Sequence, residues 1–218
     1  MIKIKSVEVL VYRYPLKTIV QTSFGTMHDR PMVLVKLIDE DDYVGVGEVW
    51  CNFPAVGAEH RARLIDSVFT PLLTMEPFDS PASAFELLTR KTWVLGLQTG
   101  EFGPIAQCIA GIDIAFHDLM ARRDETPLWK YLGGVSDSVE TYASGINPTD
   151  AEKTAEAALK SGYRALKLKI GFNPAHDIQN IKSLRTLLGE NGQLMVCLLY
   201  TSDAADEGLG VDLGGRRI

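Results

Sequence analysis

Arg164-Ala165-Leu166-Lys167-Leu168-Lys169-Ile170-Gly171 is the stretch on which the fold of the second half of the chain turns. In an extended strand successive side chains point to opposite faces. Leu166, Leu168 and Ile170 therefore share one face, suited to packing under helices, and Ala165, Lys167 and Lys169 share the other. Reading outward, Thr149-Asp150-Ala151-Glu152 has the form of a capping box opening a helix that Gly162 closes. A second helix follows the strand over Asp177 to Leu188. Val139 to Ser144 and Gln193 to Val196 complete the rhythm strand, helix, strand, helix, strand. Such a series predicts a parallel sheet with right-handed crossovers, and it starts just after Gly133-Gly134.

Two lysines on one face at the C-terminal end of a parallel strand make poor packing residues, because burying unpaired ammonium groups costs several kcal/mol. At the C-terminal mouth of a β/α barrel this placement reads as catalytic. Each ammonium disfavours the charge of the other, and partial desolvation acts the same way, favouring a neutral amine that can accept a proton. Spacing alone leaves open a plainer reading, a pair of solvated lysines at a strand end.

The first half of the chain has a different texture. Residues 2 to 14 alternate as a strand with an irregularity near Lys5-Ser6; Pro31 to Ile38 and Val44 to Trp50 are two more, joined by the acidic turn Asp39 to Asp42. Helices follow over Glu59 to Phe69, from Ser80-Pro81 to about Thr92, from Pro104 to Arg122-Arg123, and briefly after Pro127. An antiparallel meander followed by helices is an α+β unit, with a boundary expected near Gly134.

Composition narrows the function. The chain has 218 residues, 22 Lys+Arg against 28 Asp+Glu, and a formal net charge of −6. With no basic cluster, a nucleic-acid surface is not expected. The apolar stretch Pro104 to Ala121 is broken by Asp113, His117 and Asp118, so no membrane span is expected. The N-terminus carries no signal-like apolar core, which makes a cytoplasmic location the default expectation. Cys51, Cys108 and Cys197 are too scattered for a disulfide framework or metal knuckle, and read as buried small hydrophobes.

Cys108-Ile109-Ala110-Gly111-Ile112-Asp113-Ile114-Ala115-Phe116-His117-Asp118-Leu119, followed by Pro127-Leu128-Trp129-Lys130-Tyr131-Leu132-Gly133-Gly134, resembles the signature of the mandelate racemase and muconate lactonizing enzyme family of the enolase superfamily. Lys167-Leu168-Lys169 matches that family's Lys-x-Lys motif. The resemblance runs over residues 1 to 196. It implies a capping domain at 1–134, the first part of a (β/α)8 barrel at 135–196, and Mg²⁺-assisted removal of a proton α to a carboxylate, giving an enediolate; the superfamily is a known example of a Lys or His base beside Mg²⁺. Lys169 would be the base, and Lys167 would favour its neutral form and contact the carboxylate. The products would be those of a racemase, epimerase, cycloisomerase or acid-sugar dehydratase. The resemblance also implies a small carboxylic acid as substrate, an acid sugar or α-hydroxy acid, and a homo-oligomer.

Thr22 to Arg30 and Cys51 to Gly57 sit where the family has its specificity loops, and both read as glycine-containing lid turns. His28 and Arg30 are the candidate contacts to an acid substrate, or else exposed loop groups. His60, His117 and His176 show no ligand pattern, and the adjacent pairs Glu59-His60 and His117-Asp118 point different ways on a helix and cannot converge on one metal.

The family's third barrel strand ends in an Asp that is the first Mg²⁺ ligand. Here Leu194-Met195-Val196 leads into Cys197, and no acid appears before Asp203. No metal ligand is therefore assigned, and the Mg²⁺ ligands are expected to be missing from this chain. Residues 197–218 resemble a translated sequencing-library adapter, so they are expected to be a non-native tail on a truncated enzyme that is itself inactive. The alternative from another class is a non-catalytic capping or oligomerisation module.

Overall fold

The computed structural model describes residues 1–22, 25–52 and 56–197. The chain divides into two compact units, Met1–Asp137 and a second from Ser138 onward.

The first unit is built on a three-stranded antiparallel sheet in the order β1 (Ile4–Thr22), β2 (Gly25–Asp39), β3 (Val44–Val49). The irregularity expected near Lys5-Ser6 is a register shift between Ile4 and Ser6. The first two strands run longer than the alternation suggested. β1 and β2 pair as far as Thr22 opposite Gly25, so most of the stretch read as a lid loop is a hairpin arm, and His28 and Arg30 are strand residues. Periodicity missed this because an arm of two strands has no helix layer to bury a regular apolar face. Ser23 and Phe24, and Phe53 to Ala55 of the other expected lid turn, lie outside the described residues.

The helices of this unit are α1 (Gly57–Leu64), α2 (Thr70–Met75), α3 (Pro81–Thr99), α4 (Phe102–Arg123) and α5 (Leu128–Tyr131). A π-helical turn, Ile65–Phe69, joins α1 to α2. The Ser80-Pro81 start signal is a true capping box closed by Ser83, and α3 runs past Thr92 until Gly100 takes a left-handed φ of 71°. Most of the core lies between sheet and helices, where Val33, Val35, Leu37 and Val49 meet Ile112, Ala115, Phe116 and Leu119 of α4.

Small residues allow α4 to lie directly on β3. Gly45 and Gly47 face Gly111 and Ala115 so closely that an added Cβ at Gly47 would sit 1.9 Å from the Gly111 carbonyl oxygen. Asp118 then accepts a hydrogen bond from the Val46 N–H of this edge strand at 2.8 Å and from Arg122 Nε at 2.8 Å. Buried Asp39 takes the Asp41 and Tyr43 N–H groups of the acidic turn and the Arg123 guanidinium at 3.2 Å. Much of the signature helix is thus occupied in holding the meander.

Cys51 and Cys108 are buried, as expected of small hydrophobes, whereas Cys197 is only half-buried. Burial pushes the Cys108 thiol up to about 12, against a smaller downward pull from the Arg61 guanidinium. An unfolded thiol titrates near 8.5. The buried neutral thiol therefore adds stability in full below that pH, and the contribution is lost as pH rises toward 12. In iodoacetamide labelling at pH 8.5 read by mass spectrometry, Cys108 should react only at the rate of unfolding, at least tenfold slower than in urea. Equal rates would refute its burial as an inert thiol.

The second unit holds a parallel sheet in sequential order, β4 (Ala143–Ile146), β5 (Ala165–Lys169), β6 (Gln193–Cys197), with helices α6 (Ala151–Lys160) and α7 (Pro174–Leu188) between them. Ile146, Leu166 and Leu168 form one buried cluster with Ala151 and Ala155 of α6 and Leu184 of α7. Both helices thus cover the same sheet face. A sequentially ordered parallel sheet with all its helices on one side winds as the start of a β/α barrel, whereas a doubly wound sheet carries helices on both faces. Among the described residues three strands of such a barrel's eight are present.

Two local readings need correction. Asp150 takes a left-handed φ of 55° and makes no side-chain cap, so the capping box expected over Thr149 to Glu152 does not form. Its side chain accepts nothing from the first turn, and the helix opens on the ordinary bond from the Thr154 N–H to the Asp150 carbonyl. Conversely, α7 starts three residues earlier than read, because Asn173 caps it by accepting from the His176 N–H, with Pro174 at its first position. Cys197, the first residue of the expected tail, completes β6 opposite Lys169; residues 198–218 lie outside the described residues.

Candidate active site

The site is built on β5. Leu166 and Leu168 are fully buried under the helices, so the strand's period of two turns Lys167 and Lys169 to the face that α6 and α7 leave uncovered. Both lysines are half-buried, and β5 is the middle strand, with Lys167 opposite Met195 and Lys169 opposite Cys197. Their neighbour strands hold the backbone in register on both sides, so the two amines project from a rigid element.

Lys167 has a partner that the sequence reading missed. Its Nζ donates to Tyr142 Oη at 2.7 Å and lies 4.5 Å from the centre of the Tyr142 ring. The phenol thus offers the ammonium both an oxygen lone pair and a π-face. Tyr142 immediately precedes β4, where Ala143 packs on the helix side; alternation sends Tyr142 to the lysine side. That parity is readable in the sequence, but β4 lies later than the Val139 to Ser144 that alternation predicts, so its end is not. Beyond Ala143, β4 is irregular. Its pairing steps from Ala143–Leu166 to Ile146–Leu168, with Gly145 at φ 82°, a bulge beside Lys167 of the kind that re-aims side chains next to active sites.

The segment after Lys169 is also pinned. Asp177, buried in the first turns of α7, accepts the Gly171 N–H at 2.7 Å, so the chain leaving the strand is tied to the helix that follows it.

His28 and Arg30 belong to the first unit, on the solvent side of β2, and both are exposed. Arg30 lines a hollow of about 750 Å³ with Tyr12, Tyr14, Met32, Trp50 and Asn52. The structure thus brings Lys167 together with Tyr142 and aligns it with Lys169 on one strand, and it places His28 and Arg30 on another unit. His60 pairs with Glu101 at 2.9 Å and His117 sits 3.7 Å from Asp113, both within the first unit.

Among the described residues no group of three His, Cys, Asp or Glu side chains is placed to hold a metal ion, and β6 ends on Cys197 without a carboxylate. The described residues do not fit Mg²⁺. Among them, too, no helix is long and apolar enough to cross a membrane.

Comparison with known proteins bears on the same residues. Residues 2–133 match the mandelate racemase / muconate lactonizing enzyme N-terminal domain. A 3,6-anhydro-α-L-galactonate cycloisomerase from Streptomyces coelicolor is 30% identical over 199 residues, covering 88% of this chain and 54% of that protein. A solved mandelate racemase/muconate lactonizing enzyme from Bordetella bronchiseptica superposes with a TM-score of 0.81 at 51% identity, over 89% of this chain and 51% of its own. A Streptomyces coelicolor racemase solved with bound magnesium gives 0.76 at 28% identity, over 90% of this chain and 54% of its own. The chain spans about half the length of the relatives it matches. With its signature helix, its one-sided parallel sheet and a family match over more than half its length, the chain belongs to the mandelate racemase / muconate lactonizing enzyme family.

Proposed function

We propose that these residues serve an enzyme that removes the proton α to the carboxylate of a small organic acid, with Lys169 as the base. The observation that carries this reading is the pair Lys167 and Lys169 on the open face at the C-terminal end of the middle strand of a parallel sheet. A neutral Lys169 amine would take the proton from the substrate carbon. Lys167, held on Tyr142 Oη, would present its ammonium to the substrate carboxylate. In the first unit Arg30, on a hollow walled by aromatic rings, is the group suited to hold an organic acid, with His28 beside it on the same strand face.

The described residues do not fit Mg²⁺. The ion's donors in a working enzyme would come from outside them, and by this reading the 218-residue chain is inactive alone. Racemisation, epimerisation, cycloisomerisation and acid-sugar dehydration all start from the same proton transfer.

The test is α-proton exchange in heavy water, followed by NMR over a panel of acid sugars and α-hydroxy acids. The 218-residue chain should exchange none of them, and the product of the natural reading frame containing residues 1–196 should exchange at least one. A folded full-length product that exchanges none overturns the proposal in favour of a non-catalytic module. Exchange by the 218-residue chain overturns its inactivity.

A further inference from the structure

Lys169 is the last paired residue of β5, and the chain turns off the sheet directly behind it. The Ile170 N–H reaches the Cys197 carbonyl at 3.3 Å, and Gly171 takes a left-handed φ of 95°. A strand end of this kind frays unless something holds it. The hold comes from Asp177, 7% exposed in the first turn of α7, whose Oδ2 accepts the Gly171 N–H at 2.7 Å. Its other oxygen, Oδ1, is buried without a hydrogen-bond partner among the described residues. A buried carboxylate with one oxygen unpaired is a costly group to keep for packing alone. What it supplies here is a single acceptor in a fixed place.

The place is fixed because the start of α7 is itself tied down on both sides. Asn173 accepts the His176 N–H at 3.1 Å, and the Asp177 N–H donates to the Asn173 carbonyl at 2.8 Å. One turn on, Asn180 Nδ2 donates at 3.0 Å to the carbonyl of Pro148, which lies beyond the end of β4. A side chain locked in this way can lock what it holds. A reacting group displaced by about 1 Å can lose about 10²-fold in rate, so the exit of β5 bears directly on the amine one residue before it. We propose that Asp177 is a positioning residue, which fixes the Lys169 amine through Gly171. The inference rests on Lys169 being the base.

The experiment follows α-proton exchange by the full-length protein with three replacements of this side chain. Asp177→Asn keeps an acceptor at the same reach and removes the charge, so kcat should stay within about threefold of wild type. Asp177→Glu keeps the charge, which suits a helix N-terminus, but carries the acceptor one methylene further, and Asp177→Ala has no acceptor. Both should lower kcat by about tenfold or more while KM changes by less than about threefold. A carboxylate kept only to stabilise the helix would give the opposite order, with Glu above Asn. Leu184→Val, which loosens the same helix at its buried face, should leave kcat near wild type. A readout without activity is amide exchange of Gly171 by NMR in the 218-residue chain, which should be about tenfold faster or more in Asp177→Glu and Asp177→Ala and close to wild type in Asp177→Asn. If Asp177→Ala does not fold, the Asn and Glu chains carry the comparison. Wild-type kcat in Asp177→Glu, a loss in Asp177→Asn as large as in Asp177→Glu, or Gly171 exchange unchanged in Asp177→Glu would each overturn the proposal. Lys169→Ala alongside separates the two failures: if it retains exchange, the base is misassigned and the proposal falls with it, whereas loss in Lys169→Ala without loss in Asp177→Glu removes Asp177 alone.

Discussion

Lys169→Ala in the full-length protein is expected to lower α-proton exchange by about 10²- to 10⁴-fold, the usual contribution of a positioned general base, and by more where no other group can take the proton. The structure makes this a clean test. Lys169 is half-buried on the open face of β5, and the strand is anchored by Leu166 and Leu168 on the other, so removing the amine leaves the packed side untouched. The circular dichroism spectrum and thermal midpoint should stay near wild type while exchange is lost. Lys169→Arg should be as inactive, because a guanidinium stays charged at any working pH. Lys167→Ala should act differently, raising KM more than it lowers kcat, as expected of a group that holds the carboxylate. Retention of exchange by Lys169→Ala on both faces of the substrate would remove Lys169 from the role of base.

Gly47→Ala is expected to be among the most damaging single methyl additions in the first unit. Its Cβ would stand 1.9 Å from the Gly111 carbonyl oxygen and 2.8 Å from the Ala115 nitrogen. Both neighbours are backbone atoms of a long helix, so no rotamer change relieves the clash and α4 must shift as a body. Overpacking costs about 1–3 kcal/mol even where side chains can adjust. Here about 3 kcal/mol or more is expected, a large share of the 5–15 kcal/mol that holds a domain together. Gly103→Ala is the matched control. Its added Cβ meets nothing within 4 Å, and in the first turn of α4 alanine should be neutral or stabilising by up to about 1 kcal/mol. Urea midpoints of the two variants compare them directly, and equal midpoints would contradict the close packing of α4 on β3.

The two predictions rest on features of unequal legibility. Lys167 and Lys169 could be placed on a common face from spacing alone, since a period of two leaves no choice once Leu166 and Leu168 are buried. The glycines of β3 could be seen only as irregularities in a strand. Their purpose needs the partner helix, where Gly111 and Ala115, 64 and 68 positions beyond Gly47, present bare backbone to them. The same division runs through the helix ends. Ser80-Pro81 and Asn173-Pro174 cap as their local chemistry directs, whereas Asp150 has a capping residue's side chain in a backbone conformation that defeats it.

By itself the sequence determined the two kinds of layer, an antiparallel meander with helices and then a parallel sheet, and which face of β5 carries the amines. These are matters of short-range period, set by residues a few positions apart. Only the tertiary structure decided that α6 and α7 cover one side of the sheet, that Tyr142 receives Lys167, and that the arm carrying His28 and Arg30 is a paired hairpin. Each depends on atoms brought together from distant parts of the chain. The energy of such a contact comes from burial and hydrogen bonding that no local window contains.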